Sequence, residues 1–239
     1  MPESAAARRA RARAVLERLR RAYPDAALAL RFSTPLELLV ATILSAQCTD
    51  ERVNAVTAEL FPRYRTAGDW AAVPRPTLES LIHSTGFFRA KARALSNMAH
   101  ALVERHGGEV PRTAEELTAL PGVGRKTASI VLGNAFGVPA LAVDTHVARV
   151  SQRLRLTRAE DPDVIQDELC AIVPRPSWTR ATHLLIVHGR RTCQARRPDC
   201  PACPVERLCP WEGKRAAPPR GARAAVPPRR AHRGRRRSG

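Results

Sequence analysis

A chain of 239 residues is long enough for one large or two small domains and buries roughly three-quarters of its unfolded surface, so its fold needs no covalent staples. Its formal charge of +18, from 40 Lys and Arg against 22 Asp and Glu, excludes an acidic solvating chain and makes a polyanion, nucleic acid first, the expected partner. No run approaches the ~20 apolar residues of a membrane span, and no apolar segment with a small-residue cleavage site follows the N-terminal arginines, so no membrane partner and a reducing cytoplasm are expected.

Three of the 40 cations are lysines, Lys91, Lys126 and Lys214. An excess of Arg, Ala and Pro is what codons rich in G and C produce, so each retained lysine is informative. Residues 1–22 carry seven Arg and two Glu, and residues 212–239 carry ten Lys and Arg and one Glu. The body between them is only mildly basic, and its function has to be read from sites.

In chain order, Val15, Leu16 and Leu19 mark an amphipathic helix in the second half of residues 1–22. Leu36, Leu39, Val40, Ile43 and Leu44 recur at helical spacing in a stretch apolar nearly all round, which predicts a buried central helix. Further helices are predicted over residues 53–60, 78–84 and 88–106, the last stopped by Gly107-Gly108. Thr113 and Glu116 fit a capping box opening a short helix to Leu120. Residues 146–154, 163–172 and 178–188 complete the helices, and residues 212–239 read as a disordered basic tail. Alternating strand patterns with hairpin turns are missing from the sequence, which makes the fold class all-α.

Between two of these helices stands Leu120-Pro121-Gly122-Val123-Gly124-Arg125-Lys126-Thr127-Ala128. Glycines at 122 and 124 permit a tight turn with positive backbone dihedrals, and the helix that follows opens with unpaired N–H groups able to cradle a phosphate. A Walker loop is excluded by its different spacing and by the lack of a preceding strand. On a helical wheel, Ala128, Val131, Leu132, Ala135 and Phe136 form the apolar stripe, while Lys126 projects from the opposite face beside Ser129 and Gly133. A phosphate contact would be served equally by arginine. A desolvated lysine can lose a proton and attack carbon, which arginine cannot.

Eighteen residues later, Val143-Asp144-Thr145-His146 opens another helix. Asp144 suits an N-cap, and a capped carboxylate is also held rigid and ionised for service as a base. His146 reads as a packing or surface residue. Cys193, Cys200, Cys203 and Cys209 follow the pattern C-x6-C-x2-C-x5-C. Only Cys200 and Cys203 form a zinc-type knuckle, so an iron-sulfur cluster suits the loop better, with zinc as the alternative. Cys48 and Cys170 fit buried free thiols.

Hairpin, aspartate and cysteine spacing, in this order, resemble the endonuclease III family of base-excision DNA glycosylases over about residues 13–211. The resemblance implies two helical lobes: a six-helix barrel with a helix-hairpin-helix over residues 28–138, and a lobe of residues 1–27 and 139–211 carrying a [4Fe-4S] cluster on the four cysteines. DNA would lie across the cleft between them. It also implies that Lys126 is the Schiff-base lysine, Asp144 the catalytic aspartate, and Gly122, Val123, Gly124 and Arg125 the DNA-binding hairpin. Gln47 matches a residue that fills the hole left by an extruded nucleotide. Phe87 falls where a wedge residue, frequently Leu, enters the stack, and the aromatic ring is a departure from that pattern. For Phe88, wedge and core anchor are equally open. The implied substrate is double-stranded DNA with a damaged pyrimidine or an abasic site, bound by a monomer in a bacterial nucleoid. Adenine glycosylases of the superfamily carry a glutamate in the early buried helix, and residues 40–47 hold no carboxylate. They lack lysine at position 126, as do mismatch glycosylases; a non-catalytic DNA-binding module would not need Lys126 with Asp144.

Overall fold

Eleven α-helices and three 3₁₀ turns carry the described residues, 3–214, of the computed structural model, and no strand occurs among them. The basic tail expected from residue 212 lies outside the described residues beyond Lys214. Its first residues are engaged with the body: Glu212 pairs with Arg155 at 3.2 Å and Lys214 with Glu206 at 3.1 Å.

Helix starts follow local chemistry. α1 (Ala5–Ala22) begins well before its apolar stripe because the Ser4 hydroxyl accepts the Ala7 N–H at 3.2 Å. α2 (Pro35–Leu44) opens on Thr34 and buries eight of its ten residues. α3 (Asp50–Leu60) is capped by Thr49. α4 (Ala67–Ala72) was invisible to periodicity at six residues; a capping box of Thr66 with Asp69 starts it and buried Trp70 anchors it. α5 (Arg75–Leu81) passes into a 3₁₀ turn (His83–Thr85) where a single helix to residue 84 was expected.

α6 (Phe88–His106) ends on left-handed Gly107, as its sequence suggested. α7 (Ala114–Thr118) is capped by Thr113, whose hydroxyl accepts the Glu116 N–H at 3.2 Å. Glu116 takes that same hydroxyl's proton at 2.6 Å and so does not close the box on the backbone. α8 (Arg125–Ala135), α9 (Thr145–Arg153), α10 (Pro162–Ile172) and α11 (Trp178–Arg191) complete the fold.

Two separate cores result. α2 lies at the centre of the first, with Leu38, Leu39, Val40 and Leu44 fully buried among α3 to α8. In the second, Ala12, Val15 and Leu19 of α1 pack against Val147, Val150, Leu169 and Leu184 of α9 to α11, so the chain's two ends share one core. The membership changes between Ala26 and Leu30 and again between Ala140 and Leu141. No described helix is long and apolar enough to cross a membrane.

The seam between the cores is polar and close. His183 Nε2 meets Asn134 Oδ1 at 2.8 Å, Arg190 pairs with Asp50 at 2.8 Å, and Gln166 Nε2 donates to Ser129 Oγ at 3.4 Å. Gly133 permits the contact of α8 with α11, because a Cβ there would lie 2.6 Å from Thr179 Oγ1 and 2.8 Å from its Cγ2. The outward face expected for Lys126, Ser129 and Gly133 is therefore mostly seam: Ser129 is buried, and of the three only Lys126 is left in solvent at the helix start.

Gly133→Val should force α8 from α11 and cost about 1–3 kcal/mol in urea denaturation, part of it recovered by Thr179→Ala in the same background. Burial, helped by Arg180, holds His183 below the ordinary imidazole range. The unfolded chain then takes up a proton near pH 6.5 that the folded chain refuses, so this group removes stability as pH falls below about 6.5. His183→Gln, which keeps a donor for Asn134, should flatten the loss of stability between about pH 6.5 and 5.

Candidate active site and cysteine centre

One open cavity, about 720 Å³ in volume, is lined by Gln47, Phe87, Lys91, Ala94, Gly122 and Thr127 among others. Three residues singled out in the sequence thus meet there, from the turn after α2, the start of α6 and the hairpin before α8. Gln47 (φ 51) and Phe87 (φ 47) are two of only three non-glycine residues with positive φ among the described residues. The left-handed conformation costs an L-residue roughly 1–2 kcal/mol, and such strain gathers at functional positions. Phe87 is 64 % exposed, the most exposed large hydrophobic side chain described. Phe88 does otherwise: it is half-buried, packs on the first core and lies 4.5 Å from the His83 ring, which makes it a core anchor.

Of the two hairpin glycines, which together permit positive dihedrals, only one adopts them. Gly122 has φ 78, and a Cβ there would come 2.8 Å from Ala94 Cβ on α6. Gly124 has an ordinary φ of −91° and open space around it. As the N-cap of α8 it brings no side chain to the helix start, leaving the first-turn N–H groups available to an outside acceptor. Val123 turns its side chain into the first core. Arg125 pairs with Asp167 and, at 3.9 Å, with Asp163 of α10, so its guanidinium ties the hairpin to the second lobe.

Lys126 is exposed in the first turn of α8. The desolvation expected of it is not supplied by the protein, where the side chain stands in solvent. Asp144 is half-buried and caps α9, its Oδ1 accepting the Val147 N–H at 2.7 Å. Neither residue lines the cavity of Gln47 and Phe87. His146, left without a role by the sequence, joins this helix start to the cysteine loop. Burial holds it below its usual range against the pull of Asp144, so neutral Nδ1 can accept from Arg149 Nη2 at 3.1 Å. Arg149 also donates to the carbonyls of Gly189 at 2.9 Å and Cys193 at 3.2 Å.

Cys193, Cys200, Cys203 and Cys209 all line a second cavity with about 370 Å³ of empty space. Leu154 and Val205 give this cavity an apolar floor beside the four thiols. Burial pushes the Cys203 thiol up to about 11 and Cys209 upward as well, so the protein alone keeps them protonated and a cationic centre would be needed to ionise them. Arg153 Nη1 reaches Cys193 Sγ at 3.3 Å and the Gln194 carbonyl at 2.9 Å, its Nη2 donates to the Ala195 carbonyl at 2.8 Å, and its guanidinium lies 4.2 Å from the Trp211 ring centroid. His188 Nε2 stands 3.8 Å from Cys203 Sγ, with Tyr23 Oη at 3.0 Å from its Nδ1. Donors that would steady thiolates are therefore in place, and the residues fit a cluster held by four cysteines. Nothing in the sequence flagged Arg149, Arg153 or His188, since arginine is everywhere in this chain. Cys48 and Cys170 are half-buried and lie away from that cavity.

The helix-hairpin-helix and the two-lobed helical architecture define a class, and residues 40–175 match the model of the HhH-GPD superfamily base excision DNA repair protein. The chain is 51 % identical to the endonuclease III of Synechocystis over 206 residues, 86 % of this chain and 94 % of that one. It is 46 % identical to the endonuclease III of Bacillus subtilis over 195 residues, 81 % and 89 % of the two chains. A solved structure of a trapped endonuclease III–DNA covalent intermediate superposes with a TM-score of 0.81 at 46 % identity, covering 84 % of this chain and 95 % of that one. The chain belongs to the endonuclease III family of that superfamily, and is accordingly a bifunctional base-excision DNA glycosylase and abasic-site lyase.

Because Arg153 clamps the loop next to exposed Arg196, Arg153→Met should raise the rate of tryptic cutting after Arg196 several-fold, read on a gel, with little change in cutting within the first lobe.

Proposed function

We propose that this enzyme removes oxidised pyrimidines from duplex DNA and then cuts the abasic site by β-elimination, with Lys126 as nucleophile. The observation that carries the reading is the placement of Lys126. It is the exposed lysine of an uncapped helix start, directly before Thr127 in the wall of the cavity that holds Gln47, Phe87 and Gly122.

In this reading the N–H groups of Gly122 and Gly124 hold a backbone phosphate, the Val123 N–H being spent on the Leu120 carbonyl at 3.1 Å, and the α8 dipole favours the phosphate charge. Arg125 keeps the hairpin in register through Asp167. Gln47 and Phe87 enter the duplex where the damaged nucleotide leaves it, and unstacking is cheaper for a damaged base. Docked DNA desolvates Lys126, and its neutral Nζ attacks C1′ of the deoxyribose. The C1′–N bond breaks, its electron pair leaves with the base, and loss of the lysine proton and opening of the sugar ring give an imine. Asp144, fixed by its N-cap bond, takes up the proton or stabilises positive charge on the sugar. Loss of a C2′ proton then expels the 3′ phosphate.

The four cysteines suit a [4Fe-4S] cluster, because all four line one cavity with about 370 Å³ of empty space. When bound, such a cluster would ionise the thiols and fold the loop carrying Arg196 and Arg197, two cations available to a phosphate backbone. The protein would act as a monomer on nucleoid DNA, its strongly basic tail adding sequence-independent affinity.

Borohydride trapping on a thymine-glycol duplex tests the chemistry. Wild type should form a covalent adduct and Lys126→Ala none; an adduct formed at the wild-type rate by Lys126→Ala would remove the nucleophile assignment. Asp144→Asn, which preserves an N-cap acceptor, should fold normally yet slow single-turnover nicking by about 10²- to 10⁴-fold.

A further inference from the structure

Of the three lysines in this arginine-rich chain, Lys91 has no part in the chemistry above, yet it is the most deeply placed. It sits one turn into α6 with 4 % of its surface exposed and lines the cavity of Gln47 and Phe87. Its Nζ donates to the Thr85 carbonyl at 2.7 Å, its one hydrogen-bond partner among the described residues, and no described carboxylate pairs with it. Burial holds its pKa below the ordinary lysine value, only partly opposed by Cys48. A buried ammonium with one acceptor is costly and persists where it performs a task.

The task is legible in the backbone. Side chains of a helix lean toward its N-terminus, and Lys91 reaches back over the start of its own helix to a carbonyl six residues earlier. Between donor and acceptor lie Gly86 (φ 71, ψ 159) and Phe87 (φ 47, ψ 29), two consecutive residues with positive φ. Glycine alone takes the first conformation easily, and the second strains a bulky side chain. Thr85 is otherwise tied at its N–H and hydroxyl to the Ile82 carbonyl, at 2.9 and 2.8 Å. The exposed Phe87 ring has no burial of its own to hold it in place. Arginine would leave most of its five donors unpaired at a single carbonyl, whereas a compact ammonium on a flexible stem fits.

We propose that Lys91 is the positioning residue of the wedge: its buried amine fixes the Thr85 carbonyl, and through it the left-handed pair Gly86-Phe87 that holds the Phe87 ring at the mouth of the cavity. This rests on the reading of Phe87 as the residue that enters the duplex. Lys91 then acts on extrusion of the nucleotide, through Phe87, and touches neither substrate nor the reacting atoms.

The test compares wild type, Lys91→Met, Phe87→Ala, the double variant and Gly86→Ala. Gly86→Ala disturbs the same turn through its dihedral alone, since a Cβ there meets nothing within 4 Å, and serves if the buried methionine impairs folding. Single-turnover nicking of a thymine-glycol duplex is measured against borohydride trapping of an abasic site placed in an unpaired bubble, where there is no stack to open. Lys91→Met and Gly86→Ala should each slow duplex nicking by about ten- to a hundredfold, as misplacement of a positioning group does. The double variant should be no slower than Phe87→Ala, because the two residues act as one unit. Bubble trapping by Lys91→Met should stay within about twofold of wild type, and its salt dependence of DNA binding should not change; a slope lowered by about 0.9 would mean a direct phosphate contact and overturn the proposal. Duplex nicking at the wild-type rate by folded Lys91→Met, with Phe87→Ala slow, overturns the role of Lys91 alone, and the same rate in Gly86→Ala overturns the part given to the turn. Phe87→Ala at the wild-type rate overturns the wedge reading itself.

Discussion

The site depends on one close approach, that of the hairpin to α6. Gly122 comes so near Ala94 that a methyl group in its place would lie 2.8 Å from the Ala94 Cβ, a separation no packed pair of carbons tolerates. α6 is the beam from which the rest is hung. Phe87 stands just before it, its first turns carry Ala90, Lys91 and Ala94, and these three positions, at i, i+1 and i+4, run along one wall of the cavity. Alanine at 90 and 94 keeps that wall shallow. The hairpin is therefore fixed against α6 by helix packing, while Phe87 is placed by the turn that enters the same helix.

A second relation is carried across the seam. Lys126 belongs to α8 and the first core, Asp144 to α9 and the second. α8 packs on α11 and α11 packs on α9, so α11 transmits the position of one to the other. The seam is made of small residues and hydrogen bonds, Gly133 under Thr179 and Asn134 on His183, with ion pairs of Arg125 and Arg190 at its edges. Polar seams of this kind specify register more than they add stability. Arg149 and Arg153, both on α9, extend the same rigid unit to the cysteine loop.

Much of this was legible beforehand, and the reasons are local. α6 was read to its terminal residues because Gly107 can only end a helix there, and α2 because eight buried positions in ten leave no polar face. The cysteine spacing and the hairpin motif were equally plain, since each is a short stretch whose chemistry depends on neighbours in sequence. α4 was missed because six residues hold too little periodicity and its anchor, Trp70, acts through tertiary burial. Of the two glycines that permitted positive dihedrals only Gly122 uses one; Gly124 serves as a bare helix cap. Lysine in place of arginine was the one sequence signal that pointed at Lys91, and it did not say which carbonyl the amine would hold.

From the sequence alone came the all-helical class, the order of hairpin, lysine, aspartate and cysteines, and the family these resemble, because those depend on residue type and spacing along the chain. The tertiary structure decided which side chains face the same space: Phe87 outward and Phe88 inward, Arg125 on a carboxylate of the other lobe, Ser129 and Gly133 in a seam, Lys91 on the Thr85 carbonyl. Such relations depend on where helices distant in sequence come to lie, and there a single Cβ, present at Ala94 and missing at Gly122 and Gly133, determines how closely two backbones can approach.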